Sequence, residues 1–344
     1  MSDSRPGGTS PRVVILTAVY NEEDSLPDYE RTVLEVLLSR SDYDFRVLFI
    51  DDGSHDRSWE IIREICNRDP RFQGIRLSRN FGSHTALSAG FAEADGDVIT
   101  ILACDLQDPS EVILEFLKKW EAGAQIVWGR RQSRKDRFWR ILTSNLFYRL
   151  LRRFAMPHGS QFTTGSFFLV DRRVAECMRQ FQERNRITFA LAAWTGFEQA
   201  VVDYDRKRRV SGVSGWNLSK MIITMYDAFI GFSFLPVRLI TLVGVVAFLL
   251  TIALAVYLFY SWLTGNPVLG WTSQMMTMAL FFGIQCFLMG IVGEYLYRIY
   301  AEVVRRPLYF ISDQARSSHK PEKTNLSTLT EGGAHPEAKS SRGD

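Results

Sequence analysis

A chain of 344 residues with 41 Lys and Arg against 38 Asp and Glu, a formal net charge of +3, is too evenly balanced for charge alone to argue for a nucleic-acid partner. Its mean hydropathy of -0.06 would pass for a soluble protein, but that value averages a polar first two thirds with an intensely apolar stretch from Leu239 to Tyr297. Cys66, Cys104, Cys177 and Cys286 lie far apart, which excludes a short-spaced zinc site or a disulfide framework and suits a reducing compartment.

Residues 1–11 are rich in Ser, Gly and Pro and carry no apolar run, so they predict a disordered N-terminus without a cleavable signal peptide. From Val13 to about Asp171, within a domain expected over residues 12–212, short β-branched or apolar runs alternate with amphipathic stretches, the pattern of a mostly parallel sheet covered by helices. The predicted strands are Val13–Val19, Phe45–Ile50, Gly74–Leu77, Val98–Leu102 and Gln125–Trp128. Polar residues gather after them: Asn21 and Glu22, then Asp51 and Asp52, then Arg79 and Asn80, then Asp105, Gln107 and Asp108. Open α/β sheets bind ligands at that carboxyl edge.

Asp51-Asp52-Gly53-Ser54 joins two carboxylates to a tight turn, suited either to gripping a base or ribose or to capping the next helix. Asp105-Leu106-Gln107-Asp108-Pro109 sets hard oxygen ligands after a buried strand and opens a helix with Pro109. Mg²⁺ or Mn²⁺ fits Asp105 and Gln107 there, because such ions take few protein carboxylates and complete their shell from phosphate and water. The alternative is a helix cap at Asp108 beside an incidental Asp105.

Between Gly129 and Arg153, arginines including Arg131, Arg134 and Arg140 interleave with Phe138, Trp139, Leu142 and Phe147. The result is a basic amphipathic helix that presents guanidinium groups to a lipid phosphate at a bilayer surface, or else a solvated or partner-binding face. Arg206 to Arg209 form a second basic cluster before Gly212-Val213-Ser214-Gly215, either a mobile loop over the site or a plain surface turn. No chemical role falls to His84, His158 or Glu294.

Residues 213–238 predict a loop and an interfacial amphipathic helix, and residues 239–300 a transmembrane hairpin. Ile240–Leu263 has no charged residue and Thr272–Leu296 only Glu294, so each is long enough to cross a ~30 Å hydrocarbon core. Arg238, Arg298, Arg305 and Arg306 flank the pair while the loop between carries no basic residue, which predicts both termini in the cytoplasm. Residues 301–344 complete the chain as a mostly disordered cytoplasmic tail, polar and Ser-rich after Asp313.

Together, Val19-Tyr20-Asn21-Glu22-Glu23, Ile50-Asp51-Asp52-Gly53-Ser54, Leu77-Ser78-Arg79-Asn80-Phe81-Gly82 and Asp105-Leu106-Gln107-Asp108-Pro109 resemble family 2 glycosyltransferases of the dolichol-phosphate mannose synthase and bacterial polyprenyl-phosphate glycosyltransferase type. The likeness continues through Trp194-Thr195-Gly196-Phe197, Pro236-Val237-Arg238-Leu239, Gly293-Glu294-Tyr295-Leu296-Tyr297-Arg298 and Arg305-Arg306-Pro307-Leu308-Tyr309, and covers roughly residues 12–312.

The resemblance implies a glycosyltransferase-A, Rossmann-like α/β domain joined through interfacial helices to two C-terminal transmembrane helices. It implies that Tyr20, Asn21, Glu22, Asp51 and Asp52 hold the nucleoside, with Ala18, Arg79 and Gly82 beside them, and that Asp105 and Gln107 hold the cation. Arg131, in a Gly129-Arg130-Arg131 segment similar to the family's Gly-x-Arg, would act in catalysis and, with Arg134, Arg140, Arg209 and Trp216, at the acceptor phosphate. Three positions depart from the pattern. Ala103 stands where the family usually has the first Asp of Asp-x-Asp, Thr163–Leu169 lacks the acidic residue common in relatives, and Ala18 replaces a frequent Pro.

The implied reaction is inverting transfer of one sugar from a nucleotide diphosphate donor, by analogy UDP-linked, to polyprenyl phosphate. A phosphomonoester with a second pKa of ~6 is largely dianionic at neutral pH and needs no general base, so the missing acidic residue is tolerable. A processive polysaccharide synthase is the alternative among enzymes, although neither Gln-x-x-Arg-Trp nor an acidic base is visible. A catalytically inactive membrane scaffold of the same fold is the alternative outside them. The implied partners are donor, lipid acceptor and bilayer, with no nucleic acid, and homo-oligomerisation stays open.

Overall fold

Alternation along β1 (Arg12–Val19) sets the architecture. Val13 and Ile15 enter one hydrophobic core, Val14 and Leu16 the other, and all four are buried, so the strand is covered on both faces. The computed structural model describes residues 10–132, 166–207 apart from 182 and 185, 235–264 and 270–316. Eight strands form one sheet: β1, β2 (Asp44–Asp51), β3 (Phe72–Leu77), β4 (Val98–Ile101), β5 (Ile126–Arg131), β6 (Phe168–Asp171), β7 (Gln199–Tyr204) and β8 (Ile311–Ala315). Their order is β7-β5-β6-β4-β1-β2-β3-β8.

The run β4-β1-β2-β3 is parallel, β6 lies antiparallel between β4 and β5, and β7 pairs parallel to β5. On one face, α1 (Leu26–Val33), α2 (Ser58–Arg68) and α4 (Val112–Glu121) bury Tyr29, Trp59, Ile62 and Phe116. On the other, α3 (Ser83–Glu93), α5 (Arg172–Gln180) and α6 (Thr188–Trp194) pack Ala86, Val174 and Ala190 against Trp128 and Phe168. Full burial of such aliphatic and aromatic side chains contributes roughly 1.5–3 kcal/mol each.

From β1 the chain winds outward to β2 and β3, then crosses back to place β4 on the other side of β1. That reversal opens a crevice beyond the carboxyl ends of β1 and β4.

Two long helices follow, α7 (Leu235–Leu263) and α8 (Trp271–Val303). Their apolar segments, Ile240–Ser261 and Ser273–Val303, are long and apolar enough to cross a membrane. Phe259, Phe282 and Tyr297 project outward from them, exposed as lipid-facing side chains are. At 29 and 33 residues with ~1.5 Å rise each, both helices outreach a ~30 Å hydrocarbon core.

All five strands expected from the sequence are present, with bounds moved by a few residues at most. Three strands were not expected. β6 and β7, of four and six residues, bring β5 into a mixed region, and β8 stands within residues 301–344, where the sequence predicts a mostly disordered tail. Instead Ile311–Ala315 pairs antiparallel with β3 and Trp59 Nε1 donates to Asp313 Oδ2 at 3.1 Å, so the ordered chain runs past Asp313. The interfacial helix read within residues 213–238 falls on 208–234 for nearly all its length, outside the described residues, as do residues 133–153 of the basic helix.

Candidate active site

The segments after β1 and β2 are laced together. Asn21 N–H donates to Ser54 Oγ at 3.0 Å, Glu22 N–H to Ser58 Oγ at 2.9 Å, and His55 N–H to Asn21 Oδ1 at 2.9 Å. Asn21 sits at φ 53, a left-handed conformation that asparagine tolerates better than most residues, and it turns the chain out of the sheet. Tyr20 is left 41% exposed at the crevice, its ring edge-on to His55.

Asp51 and Asp52 end β2 with different surroundings. Asp51 is fully buried; its Oδ1 accepts Ser54 N–H at 3.1 Å, and Arg76 Nε lies 3.1 Å from Oδ2 without hydrogen-bond alignment. Burial pushes its pKa up, opposed by Ser54 and by the Arg76 guanidinium. Asp52 accepts Phe81 N–H on Oδ1 at 2.7 Å and Gly82 N–H on Oδ2 at 2.9 Å. Burial raises its pKa as well, against the pull of those two N–H groups. Asp52 therefore ties the loop after β3 to the sheet edge, keeping lone pairs on each oxygen for a further donor. Gly53, at φ +70, permits the contact: a Cβ there would meet the Arg79 carbonyl carbon at 2.5 Å. The Arg79 guanidinium stacks 4.0 Å from the Phe81 ring at the rim.

Across the crevice, the chain leaving β4 turns at Leu106, φ 49, and Asp105 Oδ1 accepts Gln107 N–H at 3.2 Å. This turn sets a carboxylate and an amide within two residues at the switch point. Among the described residues no group of three His, Cys, Asp or Glu gathers as a closed metal cage. The donor set fits a hard cation that draws most of its oxygens from a bound ligand.

Next to this turn stands Asp108, a buried hub. Tyr204 Oη–H donates to its Oδ1 at 2.6 Å, Arg131 Nη2 lies 3.6 Å away and Arg206 Nε 3.5 Å away. Arg131 Nε also donates to Tyr204 Oη at 3.2 Å, and Lys207 N–H to Gln107 O at 2.9 Å. The ends of β5 and β7 thus fasten onto the turn carrying Asp105. Burial chiefly, and then the Asp108 charge, pushes the Tyr204 phenol far above its ordinary pKa, so it serves as a fixed donor. Gly129 makes room for this packing, since a Cβ would lie 2.9 Å from Cε1 of Tyr204.

The structure brings Ala18, Tyr20, Asn21, Glu22, Asp51, Asp52, Arg79, Gly82, Asp105, Gln107 and Arg131 to the carboxyl edge of one sheet. Arg134, Arg140, Arg209 and Trp216 lie outside the described residues. The hub itself is not legible in the sequence: Asp108 reads there as part of the Asp105–Pro109 run or as a helix cap, Arg206 as part of a basic cluster, and Tyr204 carries no signal. The signal was weak, because Tyr204 reaches Asp108 across 96 positions.

The family model described as glycosyl transferase family 2 matches residues 14–179. The uncharacterized glycosyltransferase YkcC of Bacillus subtilis strain 168 is 37% identical over 303 residues, which cover 86% of this chain and 92% of the relative. The bactoprenol glucosyl transferase of Shigella phage SfII is 33% identical over 314 residues, covering 89% of this chain and 99% of the relative. Among solved structures, glucosyl-3-phosphoglycerate synthase of Mycobacterium tuberculosis with Mn²⁺ and UDP aligns at TM-score 0.42 and 14% identity over 66% of this chain and 84% of that one, too distant to transfer any residue's role.

Proposed function

Because the chain belongs to glycosyl transferase family 2, we propose that it moves one sugar from a nucleotide diphosphate donor to polyprenyl phosphate at a membrane surface, with inversion at the anomeric carbon. The donor in this reading is UDP-linked. Tyr20, Asn21, Glu22, Asp51 and Asp52 take the nucleoside, and Asp105 with Gln107 holds Mg²⁺ or Mn²⁺. Once bound, that ion neutralises the leaving diphosphate. The arginines fixed around Asp108, joined by Arg134, Arg140, Arg209 and Trp216, hold the acceptor phosphate in line with the anomeric carbon. A phosphate oxygen forms the new bond to that carbon while its bond to the donor diphosphate breaks on the opposite face. The acceptor is already ionised, so no proton has to be removed.

The observation that carries this reading is the route of the chain after α8. Ser78 N–H, one residue past β3, donates to Phe310 O at 2.9 Å, so the segment leaving α8 returns to the carboxyl edge of the sheet. Between Val303 and Phe310 an extended chain spans at most about 25 Å. The bilayer end of α8 is therefore tethered close to the edge that carries Asp52 and Asp105, where a lipid-borne phosphate can reach a soluble donor. The catalytic domain, residues 12–212, then lies on the cytoplasmic side, which the arginines flanking the hairpin favour.

The test is incubation of the full-length protein in detergent with polyprenyl phosphate, a panel of UDP- and GDP-sugars and Mn²⁺ or Mg²⁺, with mass spectrometry of the lipid fraction. The expected product is a polyprenyl monophosphate sugar that disappears with Asp105→Ala. Nucleotide binding with no lipid product from any donor would overturn the reading.

A further inference from the structure

Beside the carboxyl end of α8 the described residues line a cavity of about 480 Å³ that shares no residue with the crevice containing Asp51, Asp52 and Asp105. Its walls are the outer side of α3, with Ser88, Phe91 and Ala92, the residues Arg179, Phe181, Arg184 and Arg186, and the turn Arg305–Tyr309. Five arginines line it against one carboxylate, Glu302. Several of these charges are already engaged. Arg179 Nε donates to Phe91 O at 2.8 Å, Arg186 Nε to Glu183 O at 2.8 Å, and Glu302 Oε1 accepts Arg184 N–H at 2.8 Å.

Arg305 and Arg306 differ. Both are exposed, and no carboxylate among the described residues bridges to either. Arg305 also occupies the left-handed position, φ 48, directly after the helix-ending Val304, where glycine ordinarily stands. An arginine in that backbone conformation points to a function for its side chain. The turn follows Val303, which closes the apolar segment Ser273–Val303, so it stands at the polar end of a candidate membrane span, the side from which lipid headgroups are reached.

We infer that this cavity binds the phosphate group of an anionic membrane phospholipid, with Arg305 and Arg306 at its mouth and the apolar side of α3 against the glycerol end of the headgroup. Its volume lies within the roughly 300–1,000 Å³ of small-molecule sites, and basic pockets beside membrane helices recognise such headgroups. A lipid held there clamps the sheet to the bilayer through α3 and the chain leading into β8. The site does not depend on sugar transfer.

The test uses the full-length protein, with phosphatidylglycerol titrated in and retained lipid counted by native mass spectrometry. The variant is Arg305→Gly with Arg306→Gln, which keeps the left-handed turn and removes both charges. Two surface cations are expected to account for about thirty-fold in affinity, so the double variant should retain phosphatidylglycerol about thirty-fold more weakly. Lys118→Gln with Lys119→Gln, which removes equal charge from α4, should change nothing. If the arginine variant fails to fold, Ala92→Phe, at an exposed position on α3, fills the cavity from the opposite wall and should also expel the lipid. Equal retention of phosphatidylcholine, displacement by millimolar inorganic phosphate, or an equal loss in the lysine variant would each overturn the proposal.

Discussion

Replacing Asp108 by Asn separates support from chemistry in the candidate site. The Asp108 side chain is 4% exposed and draws Tyr204, Arg131 and Arg206 together at 2.6, 3.6 and 3.5 Å. Asn keeps an acceptor for Tyr204 but turns a charge-assisted hydrogen bond into a neutral one, a loss of about 1 kcal/mol. The two guanidinium contacts are longer than hydrogen bonds and about a third exposed, so solvent screening leaves about 0.5–1 kcal/mol in each. The sum, about 2–3 kcal/mol, should lower Tm by about 4–12 °C for a domain of this size. Because Arg131 and Arg206 lose their orientation, the about 1–2 kcal/mol in their two contacts should lower kcat about five- to thirty-fold, at ~1.4 kcal/mol per decade. Tyr204→Phe is the comparison: it deletes the hydroxyl and with it the Arg131 Nε bond, but leaves both guanidinium groups beside the Asp108 charge, so Tm should fall while kcat drops by less than in Asp108→Asn. Scanning fluorimetry and single-turnover transfer to polyprenyl phosphate measure both quantities. If Asp108→Asn loses stability while kcat stays within twofold of the parent, Asp108 is a structural residue and the positioning role is wrong.

Acid should weaken the fold through His84. Its Nδ1 lies 3.2 Å from Thr188 Oγ1 and 3.4 Å from Thr188 N, and burial lowers its pKa from 6.5 to about 4. The unfolded chain then binds the proton first, so the stabilisation is complete above pH ~6.5 and is lost as pH falls toward 4. The upper bound is about 3 kcal/mol, reduced to about half by the ring's partial solvent contact. His84→Asn should narrow the Tm gap between pH 7 and pH 5, and an unchanged gap refutes the assignment. Gly53→Ala forces a Cβ against backbone at a left-handed φ and should cost at least about 2 kcal/mol while abolishing donor binding, read by nucleotide titration. Trp59→Phe removes the indole bond to Asp313 and should cost about 1 kcal/mol, with faster amide exchange in Ile311–Ala315 than in β1.

What the sequence made legible was periodic or locally dense. The strand from Val13 to Val19 announces itself through an unbroken run of apolar or β-branched residues, and the pairs Asp51-Asp52 and Asp105-Gln107 through their place after such runs. β6 and β8 are only four and five residues long, and β8 reads Ile-Ser-Asp-Gln-Ala, with one strong strand former. Its stability comes from the open edge of β3 and from Trp59, partners more than 200 positions away that no local pattern encodes. The Asp108 hub failed for the same reason. An aspartate before a proline reads locally as a helix cap, although α4 begins only at Val112 with Glu111 before it, and nothing nearby announces that Tyr204 and Arg206 share its carboxylate.

β8 also constrains how the chain meets the membrane. Its backbone hydrogen bonds to β3 place Ile311–Ala315 in the same sheet as β7, which ends at Tyr204. A strand cannot pair through a bilayer, so any crossings between Tyr204 and Ile311 are even in number, a count that α7 and α8, the two helices long and apolar enough to cross, satisfy. Charge bias therefore has to choose only which side both ends occupy, not whether they share it. The same pairing covers the edge of β3 that would otherwise be open to other chains. It also ties the carboxyl end of α8 to the sheet edge through a short ordered segment. One strand thereby links the membrane crossing, the integrity of the sheet and the approach of a lipid phosphate to the carboxylates at its edge.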